Sequence, residues 1–462
     1  MYSFHVSSIL ITGGTIITAD GERKADMYIE DGIIKTIATK LPTTHYPLPT
    51  TQRINAEGKL LFPGFIDSHV HFREPGLMHK GNMQSESRAA IAGGITTVCD
   101  MPNTIPPTVT VAALEDKIER AERISDCDIR FFFGATKLEH LAQFREAWKS
   151  PDLRRRLVGL KLYFDHSTGD QGADLTVIEE AFRLCAEIDA PVIAHCEDAG
   201  INAEAQETVL HALPEGQKSD VSFHSLMRPV AAEVRAMEQA IGFARTYGTK
   251  LHIAHLSTAQ GLDLVRQAKK DGLSVTCEIA PHHLFLSTND YETLGALGKM
   301  NPPLRTPDQQ KALWEGIFDG TVDCIATDHA PHTLSEKHNP DWTKVPGGVP
   351  GVETMIPLLM TVVAEQHVMV SSACAELADT SNHDIHLSYS EILRLCFANP
   401  NRIFSLGKKG IVEDAPADFV IIDPKEEWTI RGEELHSKCG WTPYDGWRVL
   451  GKMIRTSDRG SS

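Results

Sequence analysis

Residues 64–72 read GFIDSHVHF, a short apolar stretch that ends with two histidines separated by one valine. Seven later stretches are also short and β-rich, and segments with the apolar spacing of helices, such as 111–124 and 231–248, lie between them. The seven are ITTVCDMPN (95–103), IRFFFGA (129–135), VGLKLYF (158–164), PVIAHCED (191–198), KLHIAHLS (250–257), SVTCEIAPHH (274–283) and VDCIATDHAPH (322–332). Eight strand–helix units in succession predict an α/β fold, a (β/α)8 barrel of the TIM type, whose site would lie at the carboxyl ends of the strands.

Both ends of the chain carry a different pattern. SILITGGTIITADG (8–21) alternates apolar and polar residues and breaks at glycine-containing turns, and GIVEDAPADFVIIDPKEEWTI (410–430) again indicates a strand, a turn and a strand. We therefore predict one small β-sandwich domain built from residues 1–62 and 405–462. The barrel would occupy residues 63–404.

The composition is that of an ordinary globular protein, with 42% hydrophobic and 23% charged residues among 462. The formal net charge of -17 disfavours nucleic acid or an anionic membrane surface as a partner. The nine cysteines form no Cys-x-x-Cys pair, which favours reduced thiols. No apolar run approaches the ~20 residues of a membrane span. Because the N-terminus also lacks the features of a signal peptide, we expect a cytoplasmic protein.

Histidine, lysine and aspartate occur at the ends of several predicted barrel strands. On one strand, residues i and i+2 point the same way, so His69 and His71 would face one spot. The full set on five of the eight runs is His69, His71, Lys161, His195, His255 and Asp328. Each residue alone is compatible with an independent polar group at a strand end. Together, they predict a metal site at the mouth of the barrel.

Imidazole and carboxylate ligands favour zinc or a similar divalent cation. Lys161, between Leu160 and Leu162, is the unusual member, because an ammonium group cannot bind a cation. Burial lowers the pKa of a lysine, and the neutral amine can add carbon dioxide to form a carbamate. A carbamate is able to bridge two metals about 3.5–4 Å apart. The alternative is that Lys161 pairs with Asp165 or another carboxylate at the barrel mouth.

Several of these motifs resemble the amidohydrolase superfamily, and specifically its cyclic amidohydrolases. The resemblance covers nearly the whole chain, and the motifs follow in the family order. Further segments are similar to the dihydroorotase family: HFREPG (71–76), GGITTVCDMPNT (93–104), TCEIAPHHLFL (276–286), KMNPPLR (299–305), TDHAPHTLSEK (327–337) and GVPGVETMIPLL (348–359). Some members of that family have an aspartate where this chain has Lys161, so the lysine is typical of the carbamate-bridged members.

The resemblance implies two Zn²⁺ ions per subunit. One would be held by His69, His71 and Asp328, and the other by His195 and His255, with carboxylated Lys161 bridging both. It also implies substrate contacts from Arg73, Asn103, Asn301, His332, Gly347 and Gly348. Arg73, Asn103 and His332 would hold a substrate carboxylate. Residues 165–169 would form a substrate-contacting loop.

The implied activity is the reversible hydrolysis of L-dihydroorotate to N-carbamoyl-L-aspartate, a step of pyrimidine biosynthesis. Two cations lower the pKa of a bridging water, and the hydroxide would attack the ring amide carbonyl. Asp328 would take the proton of this hydroxide and return it to the leaving nitrogen, as general base and then general acid. The resemblance further implies a homodimer with a small-molecule substrate and no nucleic-acid or membrane partner.

Two alternatives remain open at this point. Allantoinase and dihydropyrimidinase (hydantoinase) share the ligands and the fold, but a substrate without a carboxylate has little use for Arg73 beside Asn103. A non-catalytic scaffold relative would be expected to lose metal ligands. Among the other polar residues, Glu278 is a candidate accessory ligand and His282 a brace of the site. We expect His79, His140 and His224 to be ordinary surface or loop residues.

Overall fold

The computed structural model describes residues 8–42, 51–124, 126–165, 171–213, 220–365 and 387–456. Eight parallel strands in the middle of the chain form one sheet: β6 (Phe65–Val70), β7 (Ile95–Asp100), β8 (Asp128–Gly134), β9 (Leu157–Tyr163), β10 (Val192–His195), β11 (Leu251–Ile253), β12 (Val275–Ile279) and β13 (Cys324–Ile325). Each strand corresponds to one of the eight runs identified from the sequence, with β8 and β9 beginning one residue before theirs. The strands pair in chain order, so every connection joins neighbours in the sheet.

The sheet closes on itself at the carboxyl ends of its first and last strands. Val70 and His329 form a parallel bridge, and the backbone N–H of His71 donates to the carbonyl oxygen of His329 at 2.8 Å. The side chain of Asp67 also accepts a bond from the backbone N–H of Thr327 at 3.0 Å. The predicted (β/α)8 barrel is thereby confirmed, and residues from both ends of the strand order meet at its mouth.

Helices cover the outside of the barrel and fill the connections. They are α1 (Met83–Ala92), α2 (Val111–Ala121), α3 (Leu138–Lys149), α4 (Pro151–Arg154), α5 (Leu175–Glu187), α6 (Ala199–Ala212), α7 (His224–Met227), α8 (Val230–Tyr247), α9 (Ala259–Lys270), α10 (Pro281–Phe285), α11 (Tyr291–Leu294), α12 (Pro307–Phe318), α13 (Leu334–Lys337), α14 (Met355–Glu365), α15 (Tyr389–Leu393) and α16 (Asn399–Ile403). The longest helix, α8, is followed directly by Gly248, which caps it. The φ of Gly248 is 76°, in the left-handed region that a glycine adopts without strain. No helix in the described ranges is long and apolar enough to cross a membrane.

Barrel strands are buried on both faces, which explains their nearly continuous apolar sequences. All seven residues of β9, LVGLKLY, are buried, so the one lysine among them is enclosed by the protein. At the other end of the barrel, Phe404 and Leu406 pack against Ile66, Phe132 and other interior residues. Because apolar side chains fill this end of the barrel, the polar residues of the candidate site lie at the opposite end, where the strands have their carboxyl ends.

A second sheet of seven strands draws on both ends of the chain. Its strands are β1 (Ser8–Thr18), β2 (Gly21–Glu30), β3 (Ile33–Ala38), β4 (Thr51–Asn55), β5 (Leu60–Pro63), β14 (Phe419–Thr429) and β15 (Arg448–Thr456). Strand β14 pairs antiparallel with β5, which joins the C-terminal strands to the N-terminal ones. The residues cluster around a separate apolar core that contains Ile16, Met27 and Phe419. A small β domain of this kind agrees with the predicted fold class, whereas the boundaries at 62 and 405 stay a prediction.

The cysteines described in the structure are all free and buried. None of them takes part in a disulfide, as expected from their scattered positions in the sequence.

Candidate metal centre

The six residues predicted to bind metal all lie at the carboxyl end of the barrel. His69, Lys161 and His195 belong to β6, β9 and β10, and the other three follow strands β6, β11 and β13 within three residues. Every one of the six is buried, with at most 7% of its surface exposed. The structure therefore brings together side chains that are as far as 259 positions apart in sequence, His69 and Asp328.

Strained backbone accompanies this arrangement. His255 and Asp328 have φ values of 34° and 47°, and Arg73 beside them has a φ of 66°. A non-glycine residue in this region costs on the order of 1–3 kcal/mol and persists only where the surrounding structure holds it. Such positions concentrate at functional sites, where they direct a side chain to a required place.

His69, His71 and Asp328 form a compact group of possible ligands. The Nε2 atoms of His69 and His71 lie 3.4 Å and 3.0 Å from the same carboxylate oxygen, Oδ1 of Asp328. One ligand atom from each residue lies within 4.8 Å of the others. Two imidazole nitrogens and a carboxylate oxygen at this spacing form a donor set that suits a zinc-like divalent cation.

Both imidazoles of this group are held by an acceptor at their other nitrogen. Nδ1 of His69 lies 2.5 Å from Oε1 of Glu278, and Nδ1 of His71 lies 2.6 Å from Oδ1 of Asn103. The carboxylate oxygen of Glu278 and the amide oxygen of Asn103 accept hydrogen bonds, so each imidazole carries its proton on Nδ1. The lone pair of each Nε2 therefore faces Asp328. Partners of this type fix the tautomer and the ring orientation of a metal-binding histidine.

The protonation states also suit cation binding. Burial would raise the pKa of Asp328, but the neighbouring His69 and His71 hold it well below its usual range. Burial lowers the pKa of His71 to about 4. At neutral pH the group therefore consists of a carboxylate and a neutral imidazole, which are the forms that bind metals.

His195 and His255 form the second part of the cluster. Nδ1 of His195 lies 2.9 Å from Nε2 of His255, so these two nitrogens point to the same place. Nε2 of His195 donates to Oε2 of Glu197 at 2.9 Å, which leaves Nδ1 as its lone-pair nitrogen. The ring of His255 lies 5.2 Å from that of His69, so the two parts of the cluster are neighbours.

A second carboxylate-containing group, Asp165, His195 and Glu197, is equally compact. Its carboxylates, however, already share a cation: the Arg228 guanidinium forms ion pairs with both Asp165 and Glu197. Burial would raise the pKa of Glu197, but Arg228 and His195 hold it well below its usual range. An arginine bonded to both carboxylates opposes a metal at this place, so we assign Glu197 the task of orienting His195.

Lys161 has an amine that is buried and has no hydrogen-bond partner in the described part of the chain. Burial is the main reason that its pKa is lowered to about 8. The alternative that Lys161 pairs with Asp165 is wrong, because the carboxylate of Asp165 bonds to Arg228 and to Asn202 instead. A buried amine without a partner is costly, and conversion to a carbamate that binds cations removes that cost.

The residues predicted to contact the substrate line one side of the cluster. Nε of Arg73 donates to the carbonyl oxygen of Pro331 at 3.0 Å, and its Nη2 lies 3.0 Å from Nε2 of His332. Nε2 of His332 also lies 3.1 Å from the carbonyl oxygen of Gly347. A Cβ at Gly347 would meet the Asn301 amide at 3.1 Å, so these residues are in close contact.

Gly348 needs its glycine for two reasons. Its φ of 135° is unfavourable for other residues, and a Cβ would lie 2.8 Å from the Cβ of Ala330. The Oδ1 atom of Asn103 is engaged with His71, which leaves the amide nitrogen as the donor for the substrate carboxylate that was predicted to bind here. Residues 166–169 of the expected substrate loop lie outside the described residues.

The sequence analysis did not predict the positions of several residues in the site. Glu278, which was considered only as an accessory ligand, forms hydrogen bonds with His69, His252 and Ser68. The expectation for His224 was wrong: it is buried and its Nε2 lies 2.9 Å from Oδ1 of Asn301. His224 lies in a segment between barrel units, where the sequence shows no periodic pattern of apolar residues from which its burial could have been predicted. His282 is buried, and its Nε2 has no hydrogen-bond partner among the described residues.

Comparison with known proteins gives consistent results. Residues 60–444 match the description "Amidohydrolase family". A dihydroorotase of Halobacterium salinarum is 39% identical over 395 residues, which cover 85% of this chain and 83% of that protein. A dihydroorotase of Methanosarcina mazei is 38% identical over 434 residues, 91% of this chain and 87% of that protein.

Solved structures of hydantoinases are also similar. The L-hydantoinase (dihydropyrimidinase) from Arthrobacter aurescens has a TM-score of 0.85 at 25% identity, covering 98% of this chain and 95% of that one. The D-hydantoinase (dihydropyrimidinase) from Thermus sp. has a TM-score of 0.84 at 28% identity, covering 98% and 94%. The fold is thus shared along nearly the full length, while the sequence is nearer to the dihydroorotases.

Proposed function

The chain belongs to the amidohydrolase family and, within it, to the dihydroorotase family, and on this premise we propose that it interconverts L-dihydroorotate and N-carbamoyl-L-aspartate. The observation that carries the proposal is the environment of Arg73. Its guanidinium is buried beside the cluster and has no carboxylate within 4.0 Å in the described ranges. A buried cation without an anionic partner favours binding of an anion, and the carboxylate of dihydroorotate is such an anion.

We propose that the cluster holds two divalent cations, most simply zinc. His69, His71 and Asp328 would hold one and His195 with His255 the other, with a carbamate on Lys161 between them. The unpartnered amine of Lys161 and the convergent imidazole nitrogens support this assignment. When bound, the metals supply a hydroxide at neutral pH and polarise the ring amide carbonyl.

The protein groups have separate tasks in the reaction. Arg73, with its planar fork of donors, binds the substrate carboxylate and sets the orientation of the ring. Asp328 accepts the proton of the attacking hydroxide and passes it to the ring nitrogen that leaves, because its carboxylate is ionised and lies beside His69 and His71. Glu278, Asn103 and Glu197 keep the imidazoles in the required tautomers.

Hydrolysis of an uncharged cyclic amide is the second candidate, favoured by the structural likeness to hydantoinases. Under that alternative, Arg73 would remain a buried cation without an anion in every state of the enzyme. A scaffold without catalysis is disfavoured because all six ligand positions carry side chains suited to the task.

A comparison of substrates tests the proposal. The purified chain is assayed with L-dihydroorotate, dihydrouracil, hydantoin and allantoin under the same conditions. We expect the highest kcat/KM with L-dihydroorotate. A higher value with any of the three rings that lack a carboxylate would contradict the proposal. Zinc content and the expected homodimer are measured on the same sample, by elemental analysis and by light scattering.

A further inference from the structure

His332 lies among three cationic side chains. Nζ of Lys80 lies 3.0 Å from its Nδ1, and Nη2 of Arg73 lies 3.0 Å from its Nε2. The ammonium group of Lys337 is also close enough to oppose protonation of the ring. Burial, together with these three charges, keeps the pKa of His332 well below its usual range. The imidazole is therefore neutral, and one nitrogen carries the proton.

Lys80 is held in its place by a second contact. Its Nζ lies 3.0 Å from Oε1 of Glu336, a residue of helix α13. The other oxygen of Glu336 accepts bonds from the backbone N–H and the hydroxyl of Thr333 at the start of that helix. Burial lowers the pKa of Lys80, and the hydrogen bond with Glu336 opposes this shift. In either protonation state Lys80 can donate to Nδ1, and its ammonium form donates hydrogen bonds but accepts none.

The contacts around the ring favour one of its two neutral tautomers. With the proton on Nε2, the ammonium of Lys80 donates to Nδ1, and Nε2–H donates to the carbonyl oxygen of Gly347 at 3.1 Å. With the proton on Nδ1, two donors would face each other at Lys80, and the Gly347 carbonyl would lose its partner. The Nε2–H tautomer therefore satisfies the contacts with Lys80 and Gly347. The Nδ1–H tautomer satisfies only the contact with Arg73, whose Nη2 could then donate to Nε2.

We propose that Lys80 is a positioning residue that fixes His332 as the Nε2–H tautomer, so that His332 and Arg73 present two donors side by side to the substrate carboxylate. In this tautomer the N–H of Arg73 Nη2 faces the N–H of His332 at 3.0 Å without an acceptor between them. An anion placed there accepts from Nη2 of Arg73 and shares the Nε2–H of His332 with the carbonyl oxygen of Gly347. The inference rests on the proposed function, in which a carboxylate binds at Arg73.

Lys80 itself does not need to touch the substrate. It acts through the imidazole, and a neutral side chain at this position would leave both tautomers of His332 accessible. The fraction of enzyme that presents two donors would then fall, and the affinity for a carboxylate would fall with it. A ring without a carboxylate would lose nothing.

The test uses Lys80→Met, with Lys80→Arg as the conservative variant that retains a pure donor. Lys250→Met is the matched control, because Lys250 is half exposed and pairs only with the exposed Asp189 in the described structure. The tautomer is read from the ¹⁵N chemical shifts of histidine-labelled enzyme, in which the His332 signals are identified by their loss in His332→Asn. Kinetics with L-dihydroorotate and inhibition by dihydrouracil are measured in parallel.

We expect unprotonated Nδ1 and protonated Nε2 in the wild type, in Lys80→Arg and in Lys250→Met. In Lys80→Met, we expect mixed tautomer signals and a KM for L-dihydroorotate raised by about tenfold or more, a size typical for loss of an orienting partner. The inhibition constant of dihydrouracil should not change. These results would also exclude a general loss of structure.

Wild-type tautomer signals and an unchanged KM in Lys80→Met would overturn the inference, and so would equal weakening of dihydrouracil. Failure of the proposed function is a separate result. It would appear as no turnover of L-dihydroorotate by the wild type, whereas the ¹⁵N shifts would still decide what Lys80 does to His332.

Discussion

Nδ1 of His69 lies 2.5 Å from Oε1 of Glu278, and this contact joins the first strand of the barrel to the seventh. The other oxygen of Glu278 accepts from Ser68 at 3.0 Å and lies 3.1 Å from Nε2 of His252. Burial would raise the pKa of Glu278, but the two imidazoles keep it well below its usual range. Glu278 is thus an ionised acceptor that fixes the direction of His69.

The first prediction concerns this carboxylate. We expect Glu278→Gln to weaken metal binding by about 10–100-fold while the chain stays folded, because a neutral amide oxygen holds the Nδ1 proton of His69 less strongly than an ionised carboxylate does. The measurement is competition with a chelator, followed by elemental analysis. Glu292→Gln, at an exposed position of α11, is the control. Metal affinity equal to that of the wild type would show that Glu278 does not contribute to metal binding through His69.

The second prediction concerns Arg73. We expect Arg73→Met to raise the KM for L-dihydroorotate by a factor that corresponds to about 2–5 kcal/mol, the usual cost of removing one partner of a buried charged pair. Metal content should not change. The measurement is steady-state kinetics with L-dihydroorotate, with inhibition by dihydrouracil as the comparison. An equal loss of affinity for both compounds would show that Arg73 does not recognise the carboxylate.

The third prediction is a pH dependence. Only the neutral amine of Lys161 adds carbon dioxide, and burial lowers the pKa of Lys161 to about 8. Formation of the carbamate in metal-free protein should therefore increase as the pH rises through about 8, at a fixed concentration of dissolved carbon dioxide. The readout is the ¹³C signal of a carbamate after exposure to ¹³CO₂, with Lys161→Met as the blank. A yield that falls as the pH rises over this interval would contradict the prediction.

The fourth prediction concerns a buried ion pair under the substrate side of the site. Lys117 pairs with Asp100 and donates to the carbonyl oxygen of Met101 at 3.1 Å, while Asp100 accepts from the backbone N–H of Phe72 at 2.8 Å. We expect Lys117→Met to lower the free energy of unfolding by about 3–5 kcal/mol, because it leaves a buried carboxylate without its cation.

Urea unfolding measures this change, with Arg123→Met, which removes an exposed ion pair, as the control. The double variant Lys117→Met with Asp100→Asn should recover part of the loss, because the uncompensated charge is gone. A single variant as stable as the control would show that the pair contributes nothing to the fold.

Much of this architecture could be predicted from the sequence. The eight β-rich runs correspond to eight strands because strands buried on both faces are apolar throughout, and helical spacing separates them. The ligand cluster followed from the same fact, since residues such as His69 and His195 at the ends of different strands must meet at one rim of a closed barrel.

The contacts that orient these candidate ligands could not be predicted in the same way. Glu278 and His69 are 209 positions apart, and Lys80 and His332 are 252 apart. Their pairing depends on side-chain directions inside the barrel mouth, for which a periodic pattern carries no information. Arg228 is a similar case, because it reaches Glu197 and Asp165 from the segment before helix α8. Long-range polar contacts of this kind need coordinates.

We propose that Lys161 is part of a metal centre that hydrolyses dihydroorotate. The most direct test is the zinc content and the rate of L-dihydroorotate hydrolysis of Lys161→Ala beside the wild type. We predict two zinc ions per wild-type chain, fewer in the variant, and a variant rate lower by at least about 100-fold, because one bridging ligand serves both metals. Full metal content and full activity in Lys161→Ala would contradict the account.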